Sequence, residues 1–313
     1  MSATPQILDR VSPRQQNHWD ARAATNFICG GAGGGLLVAI ALASPWNPDL
    51  RPLVVLAVAL VGAGLTAVWF EIGRPLRAFN VYRNAATSWM SREAMLAPPL
   101  FASGAAAVIF NWPVAYWIAG LLGLAYAYAQ ARMLYANIGI PAWRQRGAFD
   151  MIVTTGLTEG AGLICAAALH WSALAPFGFL LAALVILRFL VWRNYLTNLR
   201  RTGAPSGTLK AFDAFDGPFI WLGHALPVAF TLAAAVSGLL VPLAGVLAAV
   251  AGGWFKYVLV CRAAFTQGFA LPRTPSRGAG AAGLGDAPGW TAGQSLWGDQ
   301  PIHSMRRRRN KDV

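Results

Sequence analysis

Of the 313 residues, 56% are hydrophobic and only 12% are charged, against about 25% charged in a water-soluble domain, so a soluble globule is excluded. The net charge of +13 points first to nucleic acid, but the basic residues fall between apolar runs, the pattern of a polytopic membrane protein rather than a nucleic-acid binder. Cys29, Cys165 and Cys261 are isolated and form no CxxC, which argues against an iron–sulfur cluster, zinc or a disulfide framework within this chain.

Residues 1–24 are polar and show no leader pattern, so the first apolar run is expected to be an uncleaved span after a polar cytoplasmic tail. Eight spans are expected, over 25–43, 52–70, 94–110, 112–131, 150–170, 173–192, 218–240 and 242–262. The third and fourth, fifth and sixth, and seventh and eighth are separated by very little and read as helical hairpins. The expected fold is an all-α integral membrane bundle of eight helices over 25–265. A flexible basic tail is expected over 266–313, Gly- and Pro-rich and ending in Arg306–Arg309 and Lys311. Placing Arg188 and Lys256 with the loops beside them puts every cation but Arg51 on one side, and the positive-inside rule then predicts both termini in the cytoplasm.

In the first span, Gly30, Gly31, Gly33, Gly34 and Gly35 provide small surfaces for close helix packing. Trp69, Trp112, Trp171 and Trp192 fit interfacial belts. The stretch from 70 to 93, FEIGRPLRAFNVYRNAATSWMSRE, gathers four arginines and two carboxylates between two spans. A carboxylate is disfavoured at a helix C-terminus, so Glu71 needs a partner, with Arg74 or Arg77 available. Glu93 reads as a first-turn carboxylate favoured by the helix dipole, with Ser91 as N-cap.

Ionisable groups inside spans are expensive and therefore candidates for function. Glu159 sits deep in the fifth span among Gly156, Gly160 and Gly162, either as a functional carboxyl or as one bonded to a neighbouring helix. His224, near the cytoplasmic end of the seventh span, is either a proton carrier or a polar staple between helices. Lys256 is expected to snorkel to the interface. His18, His170, His224 and His303 offer no facing pair, so no haem is expected.

The central stretch resembles the membrane anchor subunits of molybdoenzymes of the dimethyl sulfoxide reductase type, the DmsC family within the NrfD/polysulfide reductase group. Gly73, Arg74, Pro75, Arg77, Ser88, Trp89, Ser91, Arg92 and Glu93 carry the resemblance. The runs 22–33 and 265–273 look most like the branch that accompanies sulfite dehydrogenases and phenylacetyl-CoA:acceptor oxidoreductases.

The resemblance implies a non-catalytic subunit of an oxidoreductase complex in the bacterial cytoplasmic membrane. It implies an iron–sulfur partner, a molybdopterin catalytic partner, and a bound quinone, ubiquinone or menaquinone. Where the family pattern has a histidine, this chain has Glu71, which is expected to exchange the proton, with Glu159 and His224 as further relay candidates. Arg74, Arg77, Trp89, Arg92 and Glu93 are expected in the quinone pocket or the docking surface. The competing class is a secondary transporter using Glu159 and Lys256 as coupling charges, against which no internal repeat is seen.

Overall fold

A computed structural model describes residues 13–46, 49–71 and 75–267, with only the backbone described at 46 and 75–79. One compact unit is formed by Gln15–Thr266. Among its described residues the chain is helical, with a single isolated antiparallel bridge between Gln15 and Phe265.

Among the described residues seven helices are long and apolar enough to cross a membrane, which makes this a multi-pass membrane protein. With one more long helix they are, in chain order, α1 (Ala21–Ala43), α2 (Arg51–Trp69), α3 (Trp89–Phe110), α4 (Pro113–Tyr135), α5 (Arg146–Ala167), α6 (Phe177–Arg201), α7 (Ser206–Ala235) and α8 (Leu240–Arg262). Helix α5 is as long as its neighbours, but Asp150, Glu159 and its threonines leave it less apolar. It nevertheless lies at the centre, packed on α1, α4, α6 and α8, and nearly every residue of its middle is buried.

The α1–α5 crossing explains the glycine run. A Cβ at Gly35 would collide with the backbone of Gly156 and Gly160, and one at Gly160 with the backbone of Gly35, so the two helices touch main chain to main chain. The α3–α4 hairpin turns where expected. Asn111 adopts the left-handed conformation (φ 53°) that ends a helix, and its side chain accepts a hydrogen bond from Tyr116 Oη at 2.6 Å.

Several boundaries differ from expectation. Helices α6 and α7 run well past their apolar segments, so the expected long basic connection from 193 to 217 is helical except for a short turn after Arg201. Salt bridges of Arg193 with Asp216 (3.2 Å) and Arg200 with Asp213 (2.7 Å) join these extensions. Helix α3 begins at Trp89, not 94, because Ser88 caps it by accepting from the Ser91 N–H at 3.3 Å; Ser91 is not the cap.

The apolar core forms two clusters, one around Trp143, Trp192 and Phe255 and the other around Leu36, Val54 and Leu181. Polar side chains occupy the levels between them: Gln130 on α4, Thr155 and Glu159 on α5, and Arg188 on α6. At one end, Gln16 N–H donates to Ala264 O at 2.9 Å, and Trp143 Nε1–H donates to Leu259 O at 2.9 Å. The beginning and end of the compact unit therefore lie side by side. Of the residues expected in tails, 1–12 and 268–313 lie outside the described residues.

Candidate functional site

An apolar cavity of about 300 Å³ opens between α2, α3 and the short helix Pro75–Asn84. Leu65, Trp69, Tyr82, Met90 and Ala97 supply its walls, and Asn26, Thr66 and Glu93 are among its polar residues. Such a cavity, mostly hydrocarbon with a few convergent polar groups, is the usual form of a small-molecule site.

Glu93 is only 2% exposed and is not a solvated first-turn carboxylate. Its Oε1 accepts from Asn26 Nδ2 at 3.1 Å and Gln130 Nε2 at 3.0 Å. Gln130 Nε2 also donates to Asn26 O at 2.9 Å, and Tyr126 Oη lies 3.5 Å from Asn26 Oδ1. The amides come from α1 and α4, so three helices converge on one carboxyl. Asn26 lies within a π-helical turn, Asn26–Gly30, of the kind often found where a helix is adapted to a function.

A smaller recess adjoins the cavity, sharing Asn26, Val68, Met90 and Glu93 with it and reaching Trp19 and Glu71. Glu71 follows the end of α2, where Arg22 Nη1 donates to the Phe70 carbonyl at 2.9 Å. Partial burial raises the Glu71 pKa first, the nearby Asp20 carboxylate raises it further, and Arg22 opposes them. Arg74 lies outside the described residues, as does the side chain of Arg77. Among described groups, the cation acting on Glu71 is Arg22 of α1.

Trp89 is not among the residues lining the cavity. It packs edge-on against Tyr128, with the guanidinium groups of Arg92 and Arg132 at 4.2 and 4.9 Å from its ring. Arg92 donates to the carbonyls of Ala85 (2.8 Å) and Ala86 (2.7 Å), tying the entry of α3 to the preceding turn.

Glu159 and Lys256 form a fully buried ion pair at 2.5 Å, so Lys256 does not snorkel: it points inward because the carboxylate is there. Its Nζ occupies the space that a Cβ at Gly31 would fill, beside Gln130 Oε1, so the pair abuts the Glu93 cluster.

Arg188, counted above with a basic loop, is instead wholly buried, and its Nη atoms donate to Gly223 O (2.6 Å) and Ala248 O (3.1 Å). The first bond has a local cause. Pro227 has no N–H to donate to the carbonyl four residues earlier, and that carbonyl is Gly223. Among the described residues His224 makes no hydrogen bond to a second helix. Its Nδ1 meets Phe219 O of its own helix at 3.0 Å, across the π-helical turn Trp221–Ala225.

Sequence reasoning passed over Asn26, Tyr126 and Gln130. The signal was present, since an amide within an apolar span must find a partner in the bundle.

Residues 49–201 match the family model of the DMSO reductase anchor subunit, DmsC. The resemblance read from the central stretch is borne out across these residues, which run from the start of α2 to the end of α6. A sulfite dehydrogenase subunit of Allochromatium vinosum is 36% identical over 85 residues, 26% of this chain and 25% of that protein. The chain thus matches about a quarter of that relative's length. The DmsC match contains Glu71, Glu93, Gln130 and Glu159, whereas Asn26, His224 and Lys256 lie outside it.

Proposed function

We propose that this chain is the membrane anchor and quinone-interacting subunit of a molybdenum and iron–sulfur oxidoreductase. The observation that carries the proposal is a buried carboxyl, Glu93, set in the wall of an apolar cavity that flanks a DmsC-type α2–α3 pair. The cavity fits a lipophilic ring. Its walls are mostly aliphatic and aromatic, with few polar residues among them. A quinone bound there supplies exchange of two electrons and two protons.

The chain's own residues handle position and protons. Asn26 and Gln130 hold the Glu93 carboxyl by hydrogen bonds to one oxygen, orienting it towards the cavity. Glu71, in the adjoining recess, passes protons between Glu93 and water. The proton role first assigned to Glu71 is thus shared, with Glu93 innermost. Arg92, Arg132 and the neighbouring basic segments present the surface on which the iron–sulfur subunit docks, and the molybdopterin subunit binds beyond it. Arg74 and Arg77 are proposed to belong to that surface.

Eight crossings are supported by the adjacency of Gln16 and Ala264, because ends that meet on one side require an even number of passes. Helix α5 is then the eighth span, its polarity tolerated because it faces protein. The positive-inside rule favours a cytoplasmic side for both ends, and with them the Glu71 recess, and we assign the membrane as a bacterial inner membrane.

The test is Glu93→Gln in the assembled complex. Quinol-linked turnover is expected to fall about 100-fold or more with subunit stoichiometry unchanged. Unaltered turnover and unaltered binding of a quinone-site inhibitor would refute the site. A second reading, a secondary transporter, draws on the buried Glu159–Lys256 pair. Solute uptake by vesicles containing this chain alone would favour it.

A further inference from the structure

A second cavity, of about 280 Å³, lies between α6 and α7 and shares no lining residue with the Glu93 cavity. Val185, Ile186 and Phe189 of α6 face Ile220 and Val228 of α7, and His224 is its polar residue. Ile186, Leu190 and Trp221 around it are exposed, so it opens onto the hydrocarbon-facing surface.

Three observations make it a site rather than a packing gap. His224 is 4% exposed, yet its Nε2 has no hydrogen-bond partner, a costly arrangement for a buried polar atom. The ring is locked in place, with Phe219 and Phe189 edge-on to it at centroid distances of 4.6 and 5.6 Å. The turn that aims it is π-helical and is supported from α6 by the Arg188 bond to Gly223.

The tautomer follows from the partner. The Phe219 carbonyl can only accept, so Nδ1 carries the proton and a neutral ring offers Nε2 as an acceptor. A ligand that satisfies Nε2 is therefore a hydrogen-bond donor that enters from lipid into an apolar slot of about 280 Å³.

We propose that the α6–α7 cavity is a second lipophilic-ligand site that takes a hydroquinone-type ring, with one ring hydroxyl donating to His224 Nε2. The oxidised ring has only acceptors and makes no such bond, so this site selects the reduced form. The choice of ligand class rests on reading the chain as quinone-linked; the cavity and its unpaired acceptor do not.

The test uses the full chain in lipid nanodiscs and a hydroquinone bearing a diazirine on a short alkyl chain, with adducts mapped by mass spectrometry. Adducts are expected in two places, residues 81–97 and residues 185–189 with 220–228. Val228→Trp, or Val228→Phe if the larger ring impairs folding, should abolish the second set and leave the first. His224→Phe, the oxidised probe and the dimethyl ether of the probe should each weaken the second set about tenfold, the equivalent of one lost hydrogen bond.

Adducts only at 81–97 would overturn this inference and leave the proposed function standing. Adducts only at the α6–α7 cavity would do the reverse. Labelling of that cavity by the dimethyl ether as strong as by the hydroquinone, or its dilution by a plain long-chain alcohol, would mean a lodging place for lipid and would overturn it.

Discussion

Glu159 and Lys256 are each at most 1% exposed and meet at 2.5 Å, with no water-facing atom to share the charge. Desolvating two ions roughly cancels their attraction, so the pair as a whole adds little stability, but losing one member leaves a bare buried charge. Lys256→Met is expected to destabilise the protein by about 3–5 kcal/mol, and Glu159→Leu with Lys256→Met to recover most of that. Thermal unfolding of the four variants in one detergent measures the coupling, and additive single effects would show that the two groups act independently.

Glu71 lies beyond the spans and titrates in contact with its surroundings. Its pKa is raised, so the folded state holds the proton more tightly than the unfolded chain. Its stabilising contribution is complete below the unfolded value and is lost as pH rises through the folded one. Asp20 behaves oppositely. Hydrogen bonds from Arg22 lower its pKa, and its contribution disappears as pH falls. Asp20→Asn removes the like charge and is expected to lower the Glu71 pKa, read by carboxyl infrared titration of the labelled protein. An unchanged or higher value would contradict the assignment.

At the scale of elements, glycine has two different meanings in the same bundle. Gly160 is required because the backbone of Gly35 fills the place of its side chain. Gly217, on α7, has nothing within 4 Å of where a Cβ would stand. Gly160→Val should therefore abolish monodisperse protein on size exclusion. Gly217→Ala should be tolerated, and stabilise by up to about 1 kcal/mol through helix propensity alone. Equal tolerance of both would mean that α1 and α5 do not touch as described. The ion pairs joining the α6 and α7 extensions belong to the opposite regime. Arg200 and Asp213 are each about half exposed, so Arg200→Ala should cost no more than about 1 kcal/mol and less in high salt.

For the whole molecule, the adjacency of the two ends constrains the membrane topology. With the native cysteines replaced, Gln15→Cys and Thr266→Cys should both react with a membrane-impermeant thiol reagent from the same side of sealed vesicles. Reaction from opposite sides would require an odd number of passes and would remove α5, or another helix, from the set of spans. The polar residues that matter come from distant parts of the chain, and they meet because the two apolar clusters leave a polar level between them. The Glu93 cavity and the His224 cavity adjoin that level on different helix pairs.

Composition and the spacing of apolar runs by themselves determined the membrane class and the hairpin at Asn111, while the family likeness rested on the motif residues between Gly73 and Glu93. Each depends on local pattern: a hydrocarbon layer demands long apolar helices, and water and lipid headgroups sort the cations. Arg188 and Lys256 escaped that logic, because their burial depends on the Gly223 carbonyl freed by Pro227 and on a carboxylate 97 residues away. The same holds for Glu93, whose amide partners are 67 and 37 residues distant. Only the tertiary structure decided which polar groups face one another, because inside a bundle a polar atom is satisfied by whatever the packing brings to it, and no local pattern records that.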